Sequence, residues 1–407
     1  MKRTSRFCFS SLLLLLCLCV ATLRADDWPR WRGPQGDGIS RETGLLDSWP
    51  EKGPAELWRI PLGGGFSSIV VVGNQAFTMY SNEHDELIGA FDVVAGKQLW
   101  SVKTDELYKN DSYGDGPRAT PTVDDNRIYT LSGRGTLDCR AIAGGKLLWT
   151  KNLLKDFGAE LPEYGYSSSP VILGGKLIVV VGAQKGKSLA ALDKTTGKVL
   201  WTSLDDKIGY ATPIQVSTDG TAQIIDLMGE AVVGVSAEDG REFWRTEWKT
   251  TLNANVATPI AHDNKLFISS GYGTGCALFA LSAPGGKPGI EKLWANKNMK
   301  NYFSTSVLLD GNLYGLSDTL LTCVDFEKGT SKWKEHGFNR GSLIAADGKL
   351  FVLTERGMLV LGNASPKEFK EISKVQLFGN RTWTVPTLSA GRLFVRDEKE
   401  MVCLKVK

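Results

Sequence analysis

One phrase recurs along the chain. Residues Leu189–Trp201 read Leu-Ala-Ala-Leu-Asp-Lys-Thr-Thr-Gly-Lys-Val-Leu-Trp, and Ala90–Trp100 read Ala-Phe-Asp-Val-Val-Ala-Gly-Lys-Gln-Leu-Trp. Weaker copies run from Val235 through Gly240 to Trp244, and from Cys323 through Gly329 to Trp333. Each is an apolar strand, a glycine-centred turn and a second strand that closes on a large aromatic. Such a unit cannot bury its apolar face alone, so the chain is constrained to an array in which neighbouring units cover one another.

Two markers count the units independently. The closing aromatics are Trp58, Trp100, Trp149, Trp201, Trp244, Trp294, Trp333 and Phe378. The openings pair a small hydroxyl residue with Pro, an apolar neighbour or, once, a second hydroxyl: Ser68-Ile69, Thr120-Pro121, Ser169-Pro170, Thr212-Pro213, Thr258-Pro259, Thr305-Ser306 and Ser342-Leu343, with Val385-Pro386 as the variant. Both series have eight members, mostly roughly 40–50 residues apart, the length of a four-stranded propeller blade. Between the markers, Gly or Asn turns lead into β-branched and aromatic runs, and no segment has a convincing helical period. The last unit stops at Met401–Leu404 without an outer strand, whereas Glu56–Leu62 is an outer strand with no blade before it. Pairing the two removes two open sheet edges. The expected fold is therefore all-β: an eight-bladed β-propeller of four-stranded antiparallel blades over 56–407, closed by the N-terminal outer strand. Each closing aromatic is expected to be scaffold, packed beneath the Gly-Lys turn of its own or a neighbouring blade.

The flanks carry separate signals. Lys2, Arg3 and Arg6 precede the apolar run Leu12–Val20, and Ala25 offers a cleavage point, so residues 1–25 read as a secretory signal peptide. Without Lys2, Arg3, Arg6 and Arg24 the basic count falls from 48 to 44 against 45 acidic residues, which leaves no charge bias toward nucleic acid. Residues 26–55 hold Trp28, Trp31 and Trp49 among Pro and Gly, too short a stretch for a domain, and are expected to pack on the propeller rim. Cys139, Cys276, Cys323 and Cys403 follow the leader at spacings that define no disulfide framework. Three of them occupy the slot of Ala191 in the repeat, where a small buried side chain is wanted.

The phrase Ala-x-Asp-x-x-Thr-Gly-Lys-x-x-Trp resembles the tryptophan-docking repeat of the quinoprotein (PQQ-dependent) alcohol dehydrogenase propellers, whose non-catalytic relatives include the outer-membrane assembly lipoprotein BamB. The strings Asp27–Pro34, Gly114–Pro121 and Ser270–Cys276 are similar to segments of secreted bacterial PQQ-like repeat proteins. The resemblance implies the propeller for all of 56–407, and it implies PQQ with calcium as cofactor only if the chemistry came with the fold. The catalytic members' adjacent cysteine pair and their calcium-binding Glu/Asn/Asp set have no counterpart aligned here, and the sequence identifies no catalytic residue or haem-attachment motif.

Loops entering the first strands of a propeller converge on one end of its channel. Counting three residues back from the second residue of each opening pair gives Phe66, Arg118, Ser167, Tyr210, Val256, Phe303, Arg340 and Trp383, flanked by Tyr164, Tyr166, Asn255, Tyr302 and Arg381. Aromatic faces with guanidinium forks suit a planar, carboxylate-bearing or sugar-like ligand; the same residues would also serve to plug the channel and satisfy loop carbonyls. Glu83-His84-Asp85 reads as a solvated turn rather than a metal site.

Two functions follow. One is a periplasmic or secreted, monomeric, non-catalytic binding module that takes a protein partner, small molecule or glycan on the funnel face and needs no cofactor. The other is a quinone-dependent oxidoreductase of an alcohol or sugar, with Arg118, Tyr166, Tyr210, Phe303, Arg340 and Trp383 as the cofactor-binding residues.

Overall fold

The computed structural model describes residues 27–407, so the expected signal peptide lies outside the described residues. Eight antiparallel sheets follow one another around a ring. Blade one is Val70–Val72, Gln75–Ser81, Asp85–Asp92 and Gln98–Glu106, and the pattern repeats from the inner strand outward to blade seven. Blade eight takes its three inner strands, Thr387–Ser389, Arg392–Arg396 and Glu400–Lys405, from the end of the chain and its outer strand, Glu56–Pro61, from the start. Among the described residues helix is confined to Leu153–Phe157 and a short 3-10 turn at Pro284–Gly286. Among the described residues no helix is long and apolar enough to cross a membrane.

In seven blades the outer pair slips by one residue just before its closing aromatic, as between Glu56 and Trp58 or Leu147 and Trp149; in blade seven the slip brings Ser373 to that place, and Phe378, counted there from the sequence, lies beyond the outer strand Glu371–Gln376. Such a bulge turns the strand so that the aromatic side chain leaves its own sheet. The indole N–H of Trp58 then donates to Val93 O in the next blade at 2.9 Å, and Trp100, Trp149 and Trp294 repeat this toward Ile142, Lys194 and Glu327. Gly96, in the left-handed region at φ 67°, sits against that ring; a Cβ there would stand 2.7 Å from the Trp58 indole. Two of the closing tryptophans depart from this: the Trp201 N–H has no hydrogen-bond partner, and Trp244 turns back on its own blade. Its N–H donates to Gln223 Oε1 within its own blade, since the next blade carries the 3-10 turn instead of the repeat's glycine turn. Cys139, Cys323 and Cys403 lie opposite Trp149, Trp333 and Trp58, and with Cys276 they are the four cysteines of the described residues, free and buried.

The opening markers have a structural cause as well. The backbone N–H of Ser68 donates to Thr120 Oγ1, that of Thr120 to Ser169 Oγ, and that of Ser169 to Thr212 Oγ1. Thr258 N bonds Thr305 Oγ1 in the same way, and Val385 N bonds Ser68 Oγ across the closure. The hydroxyl residues thus form an axial belt that ties inner strands whose own sheets leave those amides unpaired.

The N-terminal lead differs from expectation. It reaches the rim only from Trp49 onward, where Trp49 packs on Phe351. Before that it crosses the channel at the end opposite the strand-entry loops. Trp28 pairs with Val71 in blade one, Val123 N bonds Pro29 O in blade two, and Ile39–Ser40 run parallel to Ala345–Ala346 in blade seven. The crossing is fixed by Arg32, which is 2% exposed and donates to the carbonyls of Gly36, Asp37, Thr305 and Ser306. Desolvation draws its pKa down to about 10. A lead rich in Trp and Arg finds more carbonyl acceptors and apolar surface in the channel than on the rim.

Candidate functional site

The strand-entry loops meet around a cavity of about 120 Å³. Of the eight counted positions, Phe66, Arg118, Ser167, Tyr210, Val256, Phe303 and Trp383 line it, and Arg340 does not. The remaining walls are Tyr113, Tyr164 and Tyr272, and Trp31 with Thr212 and Thr258 forms the base.

The rings touch in sequence. Phe66 and Trp383 have centroids 5.2 Å apart, Trp383 and Phe303 4.5 Å, and Tyr302 meets Phe303 edge-on at 4.6 Å. Tyr113 stands at 80° to both Tyr164 and Phe303. These tilted and edge-on contacts are the arrangements that ring quadrupoles favour, so the mouth is held rigid by its own walls. Trp383 is oriented further by its indole N–H, which donates to Glu355 Oε1 at 3.0 Å.

Arg118 is half-buried and already engaged. Its two terminal nitrogens donate to Gly116 O and Gly114 O at 2.8 Å each, and its guanidinium lies 4.8 Å from the Tyr108 ring. Burial lowers its pKa. Arg340 is stacked 4.1 Å from the Tyr302 ring, and Arg381 4.4 Å from Trp383, so both guanidinia sit one ring outside the cavity. Tyr166 does not belong to the mouth. It is fully buried among Leu137, Leu153 and Val179, with its hydroxyl donating to Val181 O. It stands one residue before the lining Ser167, where an extended chain sends its side chain to the opposite side. Glu83–Asp85 is a tight turn in which Asn82 Oδ1 accepts from the amides of His84 and Asp85.

Tyr113 was invisible to the count because it rides on a loop rather than beside a marker. Asn110 organises that loop, accepting from Tyr113 N through its side chain and from Gly114 N through its carbonyl. Beneath it Glu86 is fully buried and accepts from Gly133 N at 2.9 Å and Tyr108 N at 3.3 Å. Burial pushes its pKa up to about 7 against those two bonds.

Trp31 divides the channel. Its N–H donates to Thr258 Oγ1 at 3.0 Å, and together with Thr212 and Thr258 it lines both the mouth and a second cavity of about 250 Å³ beneath the lead. Only the insertion of the lead into the pore reveals this; the residue pattern of 26–55 repeats nothing.

A family model described as outer membrane protein assembly factor BamB matches residues 84–335. The curated BamB of Moranella endobia (strain PCIT) is 23% identical over 238 residues, which make up 58% of this chain and 57% of that protein. The chain therefore matches little more than half the length of that relative. Among solved structures, BamB from Moraxella catarrhalis superposes with a TM-score of 0.64 at 14% identity, over 86% of this chain and 99% of that one. Quinohemoprotein alcohol dehydrogenase from Comamonas testosteroni gives a TM-score of 0.64 at 12% identity, over 93% and 80%. At such identities the two superpositions show the fold.

Proposed function

The chain belongs to the family of the outer membrane protein assembly factor BamB, and from that membership we propose that it is a non-catalytic binding propeller whose mouth face receives a protein partner. It would act as a monomer in the periplasm or outside the cell, where the signal peptide expected over residues 1–25 would send it. The observation that carries this reading is the composition of the mouth: aromatic, aliphatic and hydroxyl side chains without a carboxylate among them, and one guanidinium already committed to two loop carbonyls.

The same residues do not fit PQQ with calcium. Calcium takes six to eight oxygen ligands, carboxylates prominent among them, and among the described residues no three His, Cys, Asp or Glu side chains come together as a metal-holding group. A tricarboxylate quinone would meet a single, occupied guanidinium. The cavity of about 120 Å³ also falls short of the roughly 300–1,000 Å³ usual for cofactor sites. The quinone-dependent oxidoreductase, as the alternative, has no donor set here to support it.

Site-specific photo-crosslinking tests the proposal. A benzophenone side chain at Tyr302, on the mouth face, is expected to capture a partner in the native compartment, whereas one at Thr195, in a turn on the opposite face, is not. Equal yields at both positions, or none at Tyr302, would count against it.

A further inference from the structure

We propose that the mouth is a socket for one aromatic or large aliphatic side chain carried on an acidic segment of the partner protein; this rests on the protein-binding reading above.

Size and wall chemistry select the anchor. About 120 Å³ between rigid rings suits a single side chain, and the base is shut by Trp31. Several of the hydroxyls around it already hold partners. Tyr272 interacts with the hydroxyls of Tyr302 and Tyr113, Thr212 Oγ1 accepts from Ser169 N, and Thr258 Oγ1 accepts from Trp31. Most of the wall is ring and aliphatic surface, against which a sugar ring would bury several of its hydroxyls without partners, a cost for buried polar groups. An apolar ring loses nothing and gains edge and face contacts with Phe303, Tyr113 and Trp383.

Charge selects the flanks. Arg340 and Arg381 stack on Tyr302 and Trp383, and neither guanidinium makes an ion pair among the described residues; Glu398 bonds the Arg381 backbone and feels its charge without a salt bridge to the guanidinium. Both guanidinia lie outside the cavity, so a ligand that fills the socket and reaches them must extend beyond it. A peptide segment with carboxylates beside its anchor does so; a compact molecule does not. Such charges steer encounter and strengthen pairing at the edge of an apolar contact.

Fluorescence anisotropy on the purified chain tests this with a labelled acidic peptide bearing one central phenylalanine. Saturable binding is expected, at least about tenfold weaker when the phenylalanine is replaced by alanine and absent when lysines replace the acids. The double variant Arg340→Gln/Arg381→Gln should weaken binding at least about fivefold and flatten its salt dependence. Val256→Trp should fill the socket and abolish binding, with an unchanged urea midpoint showing that the fold persists. No saturation at millimolar peptide, equal binding of the alanine peptide, or indifference to both variants would overturn the proposal. Free 3-phenylpropionate binding as tightly as the peptide would overturn the commitment to a protein segment. Crosslinking from Tyr302 without peptide binding would remove the socket and leave the protein-binding reading standing; dye reduction with PQQ and calcium would remove that reading itself.

Discussion

Trp58 lies directly opposite Cys403 across the seam of blade eight, and its indole N–H reaches on to Val93 O in blade one. A single side chain thus fastens the first segment of the propeller, the last sheet and the next blade. Trp58→Ala should cost about 3–5 kcal/mol in urea unfolding, through lost burial and the cavity left behind. Trp294→Ala removes a half-buried ring from an unbroken blade and should cost less. Equal losses would mean that the closure adds nothing.

The axial belt predicts a smaller, sharper effect. Thr120→Val keeps the side-chain shape but removes the oxygen that accepts from Ser68 N, leaving a buried amide unpaired. A loss of about 1–2 kcal/mol is expected, while Thr120→Ser should be close to neutral. A neutral Thr120→Val would show that the belt is decoration.

Arg32 holds the lead inside the channel by four carbonyl bonds. Arg32→Met should destabilise by about 3 kcal/mol, because buried acceptors that a charged donor satisfied are left empty. Limited proteolysis of the variant should cut first between 27 and 48. Protection equal to the parent would contradict the anchoring role.

Asp226 supplies a pH test. It is 1% exposed, its Oδ1 accepts from Leu227 N, and its Oδ2 has no hydrogen-bond partner. Burial raises its pKa from 3.8 to about 7. The folded state therefore holds the proton more tightly than the unfolded chain. The contribution is fully present below the unfolded value and is lost as pH rises toward and through about 7. Asp226→Asn should match the parent near pH 3, below the unfolded value, and exceed it near pH 8, by about 2–4 kcal/mol. Equal stability of the two proteins at pH 8 would refute the buried, protonated state.

The repeats made the ring legible because each blade is built from the same local instructions: a hydroxyl at the opening, glycine in the turn and an aromatic at the close. Seven of the eight counted mouth positions followed from that period. What escaped it does not repeat. Tyr113 and Tyr272 sit on loops of individual length, and Trp31 arrives from a segment whose place depends on Arg32 finding carbonyls in blade six. Tyr166 shows the opposite failure, since distance along the chain does not say which way a side chain points. Trp244 follows the period in sequence and leaves it in space, because its partner turn is rebuilt.

The most direct test of a binding rather than catalytic mouth is equilibrium dialysis of the purified chain against PQQ with calcium, read by absorbance together with dye-linked alcohol and sugar oxidation. No retained quinone and no dye reduction are expected. Stoichiometric, calcium-dependent retention that is lost in Trp383→Ala and drives dye reduction would contradict the account.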